Sequence, residues 1–142
     1  MRAAQPADLD QVFKLIREFA MFLKVPEKVH TSVAQMLEDK DRFQCLVAVA
    51  NNEVIGFATY FYAYYSWTGK AIYLDDLYVS ANNRGHGIGS KLLDEVIELG
   101  KKENCTKVRW QVSNWNIKAI NFYKNRGAVV DAGEINCDLS LS

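Results

Sequence analysis

The sequence predicts an α/β domain of the α+β type, in which helices flank a mixed and mostly antiparallel central sheet. Three observations favour this class. Apolar residues recur with helical spacing over 8–23, a strand hairpin follows over 44–65, and a glycine-rich loop at 83–90 connects a further strand to a second long helix. The full order is two helices, three strands, a helix, a strand, a helix and closing strands. This order indicates one domain over residues 1–142.

Composition excludes several classes of function. The chain has 142 residues, of which 49% are hydrophobic, and this is enough for one domain with its own core. Lys plus Arg and Asp plus Glu both number 17, so no basic field for nucleic acid is expected. No apolar run approaches the roughly 18 residues of a membrane span, and no apolar signal-peptide core follows the first residues.

The cysteines and histidines predict reduced thiols and no metal site. Cys45, Cys105 and Cys137 are odd in number, far apart and without the spacing of metal ligands. His30 and His86 are the only imidazoles in the sequence. We therefore expect a cytoplasmic protein that needs no metal.

Two helices are predicted in the N-terminal part of the chain. The first covers 8–23, where apolar residues recur at helical spacing until Pro26 ends the run. The second is shorter, covers 31–40 and has Thr31 as its expected N-cap. Between the two helices we expect a mobile loop at 24–30.

A strand hairpin is predicted next. Its first strand covers 44–50, the turn is Asn51-Asn52, and the return strand covers 54–65. The return strand ends in a dense aromatic run. We expect most of these rings to pack in the sheet or at a dimer surface, and some to line an amine pocket through cation–π contacts.

The third predicted strand, 71–79, carries the adjacent carboxylates Asp75 and Asp76 in its middle. Carboxylates form strands poorly, and neighbours in a strand point to opposite faces of the sheet. One of the two is therefore expected to face inward or into a cleft. A local conflict of this kind is typical of a functional site.

The C-terminal part of the chain predicts two more helices and three short strands. The helices cover 88–103 and 117–126. A strand is expected at 107–112, and two closing strands at 128–131 and 135–141.

A phosphate cradle is predicted at Asn83–Ser90, because closely spaced glycines let backbone N–H groups approach a ligand where a helix begins. A nucleoside-triphosphate loop would need Gly-Lys-Ser/Thr, but here Ser90 precedes Lys91. A dinucleotide fingerprint, G-x-G-x-x-G, would begin directly after the strand and end in Gly. Here about five residues separate Val79 from Gly85, and Ser90 takes the last position. The third alternative is the pattern Arg84-x-x-Gly87-x-Gly89.

This pattern resembles the pyrophosphate signature of the GNAT (Gcn5-related) N-acetyltransferases. A second match lies downstream, in the family's late motif Asn-x-x-Ala-x-x-Phe-Tyr-x-x-x-Gly, which runs from Asn116 to Gly127. The segments Trp67–Lys70 and Tyr73–Val79 are in turn similar to the diamine branch, the spermidine/spermine and thialysine acetyltransferases. The resemblance covers essentially the whole chain. It implies the GNAT acyl-CoA N-acyltransferase fold, acetyl-CoA as co-substrate and a homodimer.

The resemblance also implies roles for particular residues. Asp75 would be the catalytic base that deprotonates the amine, and Tyr123 the acid that protonates the departing thiolate. The acetyl-CoA contacts would be Leu77, Tyr78, Val79, Arg84, Gly85, His86, Gly87, Ile88, Gly89, Ser90, Asn116, Asn121 and Tyr123. The acceptor contacts would be Phe22, Tyr65, Asp75, Asp76, Asn114 and Trp115.

The acceptor expected from the resemblance is a primary amine of a small molecule, either diamine-like or amino-acid-like. At three positions where the diamine branch has acidic side chains, this chain has uncharged ones. They are Leu23 (which follows Phe22), Tyr65 and Asn114. We therefore expect an amine less cationic than spermidine or spermine. Two alternatives stay open: an acetyltransferase that acts on a protein or peptide amine, and a non-catalytic acetyl-CoA sensor.

Overall fold

The computed structural model describes residues 1–141, and its central element is a five-stranded sheet with the strand order β1-β2-β3-β4-β5. Neighbours from β1 to β4 are antiparallel, whereas β5 pairs with β4 in parallel. The predicted mixed and mostly antiparallel sheet is confirmed. The strands are β1 (Arg2–Ala3), β2 (Gln44–Ala50), β3 (Glu53–Tyr65), β4 (Gly69–Val79) and β5 (Val108–Arg109).

Four α-helices accompany the sheet in the described part of the chain: α1 (Leu9–Phe22), α2 (Val33–Glu38), α3 (Ile88–Lys102) and α4 (Ile117–Asn125). Short 3₁₀ turns precede α1, separate α1 from α2, and follow β4. No helix of residues 1–141 is both long and apolar enough to cross a membrane.

The two long helices pack on opposite faces of the sheet. Phe57 of β3 is fully buried in a cluster with Val12 of α1. The next residue toward the N-terminus, Gly56, faces the other side, where a Cβ would lie 3.3 Å from Leu92 of α3. Adjacent strand residues point to opposite faces, so α1 and α3 enclose the sheet between them. Each fully buried side chain of this size contributes roughly 1.5–3 kcal/mol through burial.

The chain divides into two compact units, Met1–Trp110 and Gln111–Ser142. The first contains the whole sheet with α1, α2 and α3, and the second contains α4. In the second unit, the Asn116 side chain caps α4 by accepting a hydrogen bond from the Ala119 N–H at 3.2 Å. The expectation of one domain over residues 1–142 stays a prediction.

Several predicted boundaries differ from the structure. The second helix begins at Val33 instead of 31, because the Ser32 hydroxyl accepts the Gln35 N–H at 3.1 Å and so takes the N-cap role expected of Thr31. The strand expected at 107–112 is reduced to Val108–Arg109.

The closing strands expected at 128–131 and 135–141 are wrong, since the described residues there form no strand. The Asp131 carboxylate accepts the Gly133 N–H at 2.7 Å, a local turn that competes with extended pairing. The apolar side chains that suggested strands are exposed, as Val129 at 93% and Ile135 at 87% illustrate.

Candidate active site

A β-bulge places the two adjacent carboxylates. The register between β3 and β4 shifts so that Thr59 faces Asp76 and Tyr60 faces Leu74, and Asp75 therefore has no partner across the ladder. The Thr59 hydroxyl oxygen accepts the Asp76 N–H at 3.2 Å and fixes the irregular backbone. Regular alternation predicted opposite faces for the carboxylates, but the bulge lets both line one cavity.

This cavity has a volume of about 480 Å³ and lies in the first unit, between α1, α2, the turn that follows α2, and strands β3 and β4. Its size suits a small molecule. The wall combines apolar and aromatic groups with a few polar ones. Its charged lining residues are Asp39, Arg42, Asp75 and Asp76, and its rings are those of Phe43, Tyr60 and Phe61.

Burial shifts the pKa values of both carboxylates of the bulge. It raises the pKa of Asp75, and it raises the pKa of Asp76 to about 6, with a smaller contribution from the neighbouring Asp75 charge. Neither carboxylate forms an ion pair within residues 1–141. A carboxylate with these properties can take up a proton close to neutral pH and can attract a cation.

The glycine loop begins where β4 ends, and its geometry fits an anion. Gly85 and Gly87 have φ of +85° and +77°, and a Cβ at either position would meet nothing within 4 Å. Gly87 is the N-cap of α3, supplies no side-chain hydrogen bond, and precedes a first turn without acidic residues. The free N–H groups and the positive end of this 15-residue helix therefore face open space.

Arg84 is held in place beside this loop. Its Nε donates to the Val79 carbonyl at 3.0 Å, and its Cζ lies 5.1 Å from the ring centre of Phe22 and 5.0 Å from that of Tyr78. The Tyr78 hydroxyl in turn donates to Glu18 at 2.7 Å. These contacts fix the end of β4 and orient the guanidinium at the loop. His86 is exposed in the same loop.

β4 also offers an open backbone edge. Its parallel pairing with β5 is confined to Ile72 and Tyr73, whereas Leu77–Val79 pair only with β3 among the strands of the described chain. The edge that faces away from β3 near the glycine loop therefore has no strand partner within residues 1–141. An extended ligand can add to an edge of this kind through main-chain hydrogen bonds.

Only part of the predicted acceptor set lines the cavity. Asp75 and Asp76 do, but the lining includes neither Phe22, whose ring lies against Arg84, nor Tyr65. Tyr65 instead has the Lys107 ammonium and the Arg109 guanidinium 4.4 and 4.5 Å from its ring centre. The roles assigned to Phe22 and Tyr65 stay predictions.

The remaining predicted site residues belong to the second unit. Asn114 lies in the turn before α4, and Trp115 there is 56% exposed. Asn121 is a residue of α4 itself. Burial raises the pKa of Tyr123, whose ring contacts Phe122 edge-to-face at 5.4 Å. A phenol with a raised pKa stays protonated at neutral pH and so remains a proton donor.

Sequence reasoning missed the cavity residues Asp39 and Arg42. The turn 39–42 follows a one-and-a-half-turn helix and has no periodic pattern that would place it against β4. Tyr60 and Phe61 of the aromatic run line the cavity, whereas their expected cation–π contact with an amine stays a prediction. No group of three or more His, Cys, Asp or Glu residues in the described chain has an arrangement that would hold a metal.

Comparison with known proteins assigns the family. The model of the acetyltransferase (GNAT) family matches residues 9–128. The thialysine N-ε-acetyltransferase of Mus musculus is 35% identical over 140 residues, which cover 90% of this chain and 82% of that protein. The spermidine/spermine N(1)-acetyltransferase-like protein 1 of Homo sapiens is 32% identical over 91% of this chain, but the match spans only 20% of that longer protein.

A solved structure shows the same fold. An aminoglycoside acetyltransferase from an uncultured soil metagenomic sample, crystallised with sisomicin, superposes with a TM-score of 0.79 at 20% identity, covering 99% of this chain and 95% of that one. The chain therefore belongs to the GNAT acetyltransferase family and is an N-acetyltransferase.

Proposed function

We propose that the protein transfers the acetyl group of acetyl-CoA to a primary amine of a small molecule, by direct attack in a ternary complex. One observation carries this proposal: two unpaired carboxylates with raised pKa values line a cavity on the strand that leads into an anion-binding loop.

The first unit would bind acetyl-CoA, the acetyl donor, at two places. The N–H groups at the start of α3, together with Arg84, would bind the pyrophosphate. The open edge at Leu77–Val79 would pair with the pantetheine arm, and one N–H of this edge would polarise the thioester carbonyl. Asn116 and Asn121 are carried over from the family as further coenzyme A contacts.

The carboxylates of Asp75 and Asp76 would deprotonate the acceptor amine. A primary amine is mostly an ammonium at neutral pH and must lose a proton before its lone pair can attack. Asp75, the unpaired residue of the bulge, is the base that the sequence predicts, and Asp76 beside it has the pKa of about 6 that suits proton uptake. We assign deprotonation to this pair, directly or through a water molecule.

Transfer then needs one bond to form and one to break. The amine nitrogen attacks the thioester carbon, the new N–C bond forms, and the C–S bond breaks with both electrons on sulfur. The nitrogen loses two protons in all: the carboxylate pair takes the first from the ammonium, and the second leaves once the N–C bond has formed. Tyr123 gives its proton to the thiolate, and the second proton from nitrogen restores the Tyr123 phenol, directly or through water, so that one proton remains on the carboxylate pair for release to solvent. The names of the relatives support a small-molecule amine, since thialysine and spermidine both carry primary amines.

A panel assay tests the proposal. Release of the free thiol from acetyl-CoA is followed with diamines, amino acids, aminoglycosides and short peptides as acceptors. We expect at least one small primary amine to accelerate release well above the rate without acceptor. If acetyl-CoA binds but no acceptor accelerates release, the protein is a sensor, and if only peptides do so, the acceptor is a protein. The homodimer and the cytoplasmic location expected from the sequence stay predictions.

A further inference from the structure

The β-bulge reverses the two faces of β4. Before the bulge, Ile72 faces α3, since its Cδ1 lies 3.6 Å from the position that a Cβ on Gly100 of that helix would take. After the bulge, Tyr78 faces α1, because its ring stacks on that of Phe19 at 4.9 Å. Two residues six positions apart share a face in a regular strand. The extra residue at Asp75 therefore inverts the strand between them.

This reversal brings the two carboxylates to one side of the sheet. Asp75 is the last residue before it and lies two positions after Tyr73, whose ring stacks at 5.2 Å on that of Phe61 in the cavity wall. Asp76 is the first residue after it and so has the orientation of the C-terminal half of β4. Both carboxylates therefore lie on the side of α1, where the cavity is. In a regular strand, Asp76 would share the face of Ile72 and point toward α3.

Thr59 holds the backbone at the reversal. It belongs to β3, lies opposite Asp76 and borders the register shift. The residue is 7% exposed, and its hydroxyl oxygen accepts the Asp76 N–H at 3.2 Å. A bulge disrupts the strand ladder locally, and an N–H displaced from the ladder needs another acceptor because an unpaired one inside a fold costs free energy. The Thr59 hydroxyl supplies this acceptor.

We propose that Thr59 is a positioning residue, whose hydroxyl holds the reversed strand and so keeps Asp75 and Asp76 in one cavity. Thr59 acts through the backbone of Asp76, and neither the amine nor the acetyl group needs to touch it. The effect on catalysis rests on the proposed function, since it assumes that the carboxylates deprotonate the amine. The effect on the backbone does not depend on that function.

Thr59→Val tests the effect on catalysis, because it keeps the shape of the side chain and removes the hydroxyl. With the best amine of the panel, we expect kcat/KM to fall about 10- to 100-fold, since a catalytic group displaced by about 1 Å can lose this much. The loss should lie mainly in kcat, and the KM of acetyl-CoA should change little. Thr59→Ser keeps the hydroxyl and should restore most of the rate.

Hydrogen exchange tests the backbone directly and needs no turnover. We expect the Asp76 amide to exchange slowly in the wild type and in Thr59→Ser, and fast in Thr59→Val. The amide of Val47, a fully buried residue of β2, is the internal reference and should stay slow in all three proteins. Fast exchange of the Asp76 amide in the wild type would overturn the inference, even if Thr59→Val does not fold.

Thr68→Val is the matched control, because it makes the same substitution at an exposed residue of the turn between β3 and β4, outside the cavity lining. It should change neither the rate nor the exchange of the Asp76 amide. Wild-type kinetics in Thr59→Val, or equal losses in Thr59→Val and Thr59→Ser, would overturn the positioning role while amine acetylation itself stands. If the wild-type protein binds acetyl-CoA but acetylates no amine, the proposed function fails, and hydrogen exchange still decides whether Thr59 holds the bulge.

Discussion

At Asp76, two effects act in the same direction on one carboxyl group. Burial in the cavity wall disfavours its charge, and the neighbouring Asp75 carboxylate disfavours it further, which together raise the pKa to about 6. The pKa of Asp75 is also raised, in this case by burial alone. At Asp76 the Asp75 charge is the smaller of the two causes, and its removal should lower the Asp76 pKa without restoring its ordinary value.

The acid limb of the pH profile tests this pair. We expect kcat/KM to fall on the acid side with an apparent pKa of about 6. Asp76→Asn should remove this limb and lower kcat/KM by about 10²- to 10⁴-fold, the usual contribution of a general base. Asp75→Asn should move the limb to lower pH, because it removes the negative charge that raises the Asp76 pKa.

Asp41→Asn serves as the control for this pair, since Asp41 is exposed and is not among the cavity residues. It should change neither rate nor profile. If Asp75→Asn abolishes turnover while Asp76→Asn keeps the limb near its wild-type position, the base is Asp75 alone, as the family resemblance implies.

Tyr123 is the predicted acid, and burial keeps its phenol protonated at neutral pH. We expect Tyr123→Phe to lower kcat by about 10²-fold or more while the Kd of acetyl-CoA changes little, because the hydroxyl would act only on the departing thiolate. Tyr64→Phe, at a residue that is 80% exposed, is the control and should have no effect. An equal loss of turnover and acetyl-CoA affinity would instead assign Tyr123 a structural role.

At the scale of the element, the glycine loop depends on backbone conformations that other residues adopt at a cost. Gly87 has a φ of +77° and directly precedes α3, and the space beside it is open. A side chain there would be strained and would project into the volume that a pyrophosphate needs.

Gly87→Ala therefore tests both effects at once. We expect the free energy of unfolding to fall by about 1–2 kcal/mol, the cost of a left-handed conformation at alanine. The Kd of acetyl-CoA should also rise at least about tenfold, equivalent to the loss of one hydrogen bond to a charged group. Both quantities are measured directly, by chemical denaturation and by calorimetric titration.

The matched control is Gly69→Ala, because Gly69 has a φ of +91°, equally open surroundings, and a position at the opposite end of β4. It should lose similar stability but keep the affinity for acetyl-CoA. Similar affinities in Gly87→Ala and Gly69→Ala would show that the loop does not bind the donor.

Elements with strong local signals were predictable from the sequence. The strand Gln44–Ala50 matches its predicted limits because the Asn51-Asn52 turn, with φ of 52° and 62°, ends it sharply. The β-bulge was not predicted, although the adjacent carboxylates had marked this part of the strand as a candidate functional site. A bulge depends on which residues of two strands pair, and one strand alone does not specify this.

The cavity beside the bulge was the least predictable feature for the same reason. Arg42 lies 33 positions before Asp75 in the sequence, and the two line one cavity only because the turn after α2 packs near the bulge. No motif or period connects them. The glycine loop, by contrast, is contiguous, and the spacing of its glycines was sufficient to predict a tight turn at the start of a helix, whose geometry fits an anion.

At the scale of the whole molecule, the first unit contains the sheet, the cavity and the glycine loop, and the second contains the late family motif around α4. The family model spans both units over residues 9–128. In the proposed chemistry, the glycine loop that would bind acetyl-CoA and the carboxylate base belong to the first unit, and the acid Tyr123 belongs to the second.

The most direct test of the central claim is the stoichiometry of the complete reaction. Protein, acetyl-CoA and the best amine of the panel are incubated, and free thiol, N-acetylated amine and the mass of the protein are measured together. We predict one N-acetyl amine for each thiol released, no release without amine, and no acetylated protein. Thiol release that does not depend on the amine, or an acetylated protein as the product, would contradict direct transfer to a small-molecule amine.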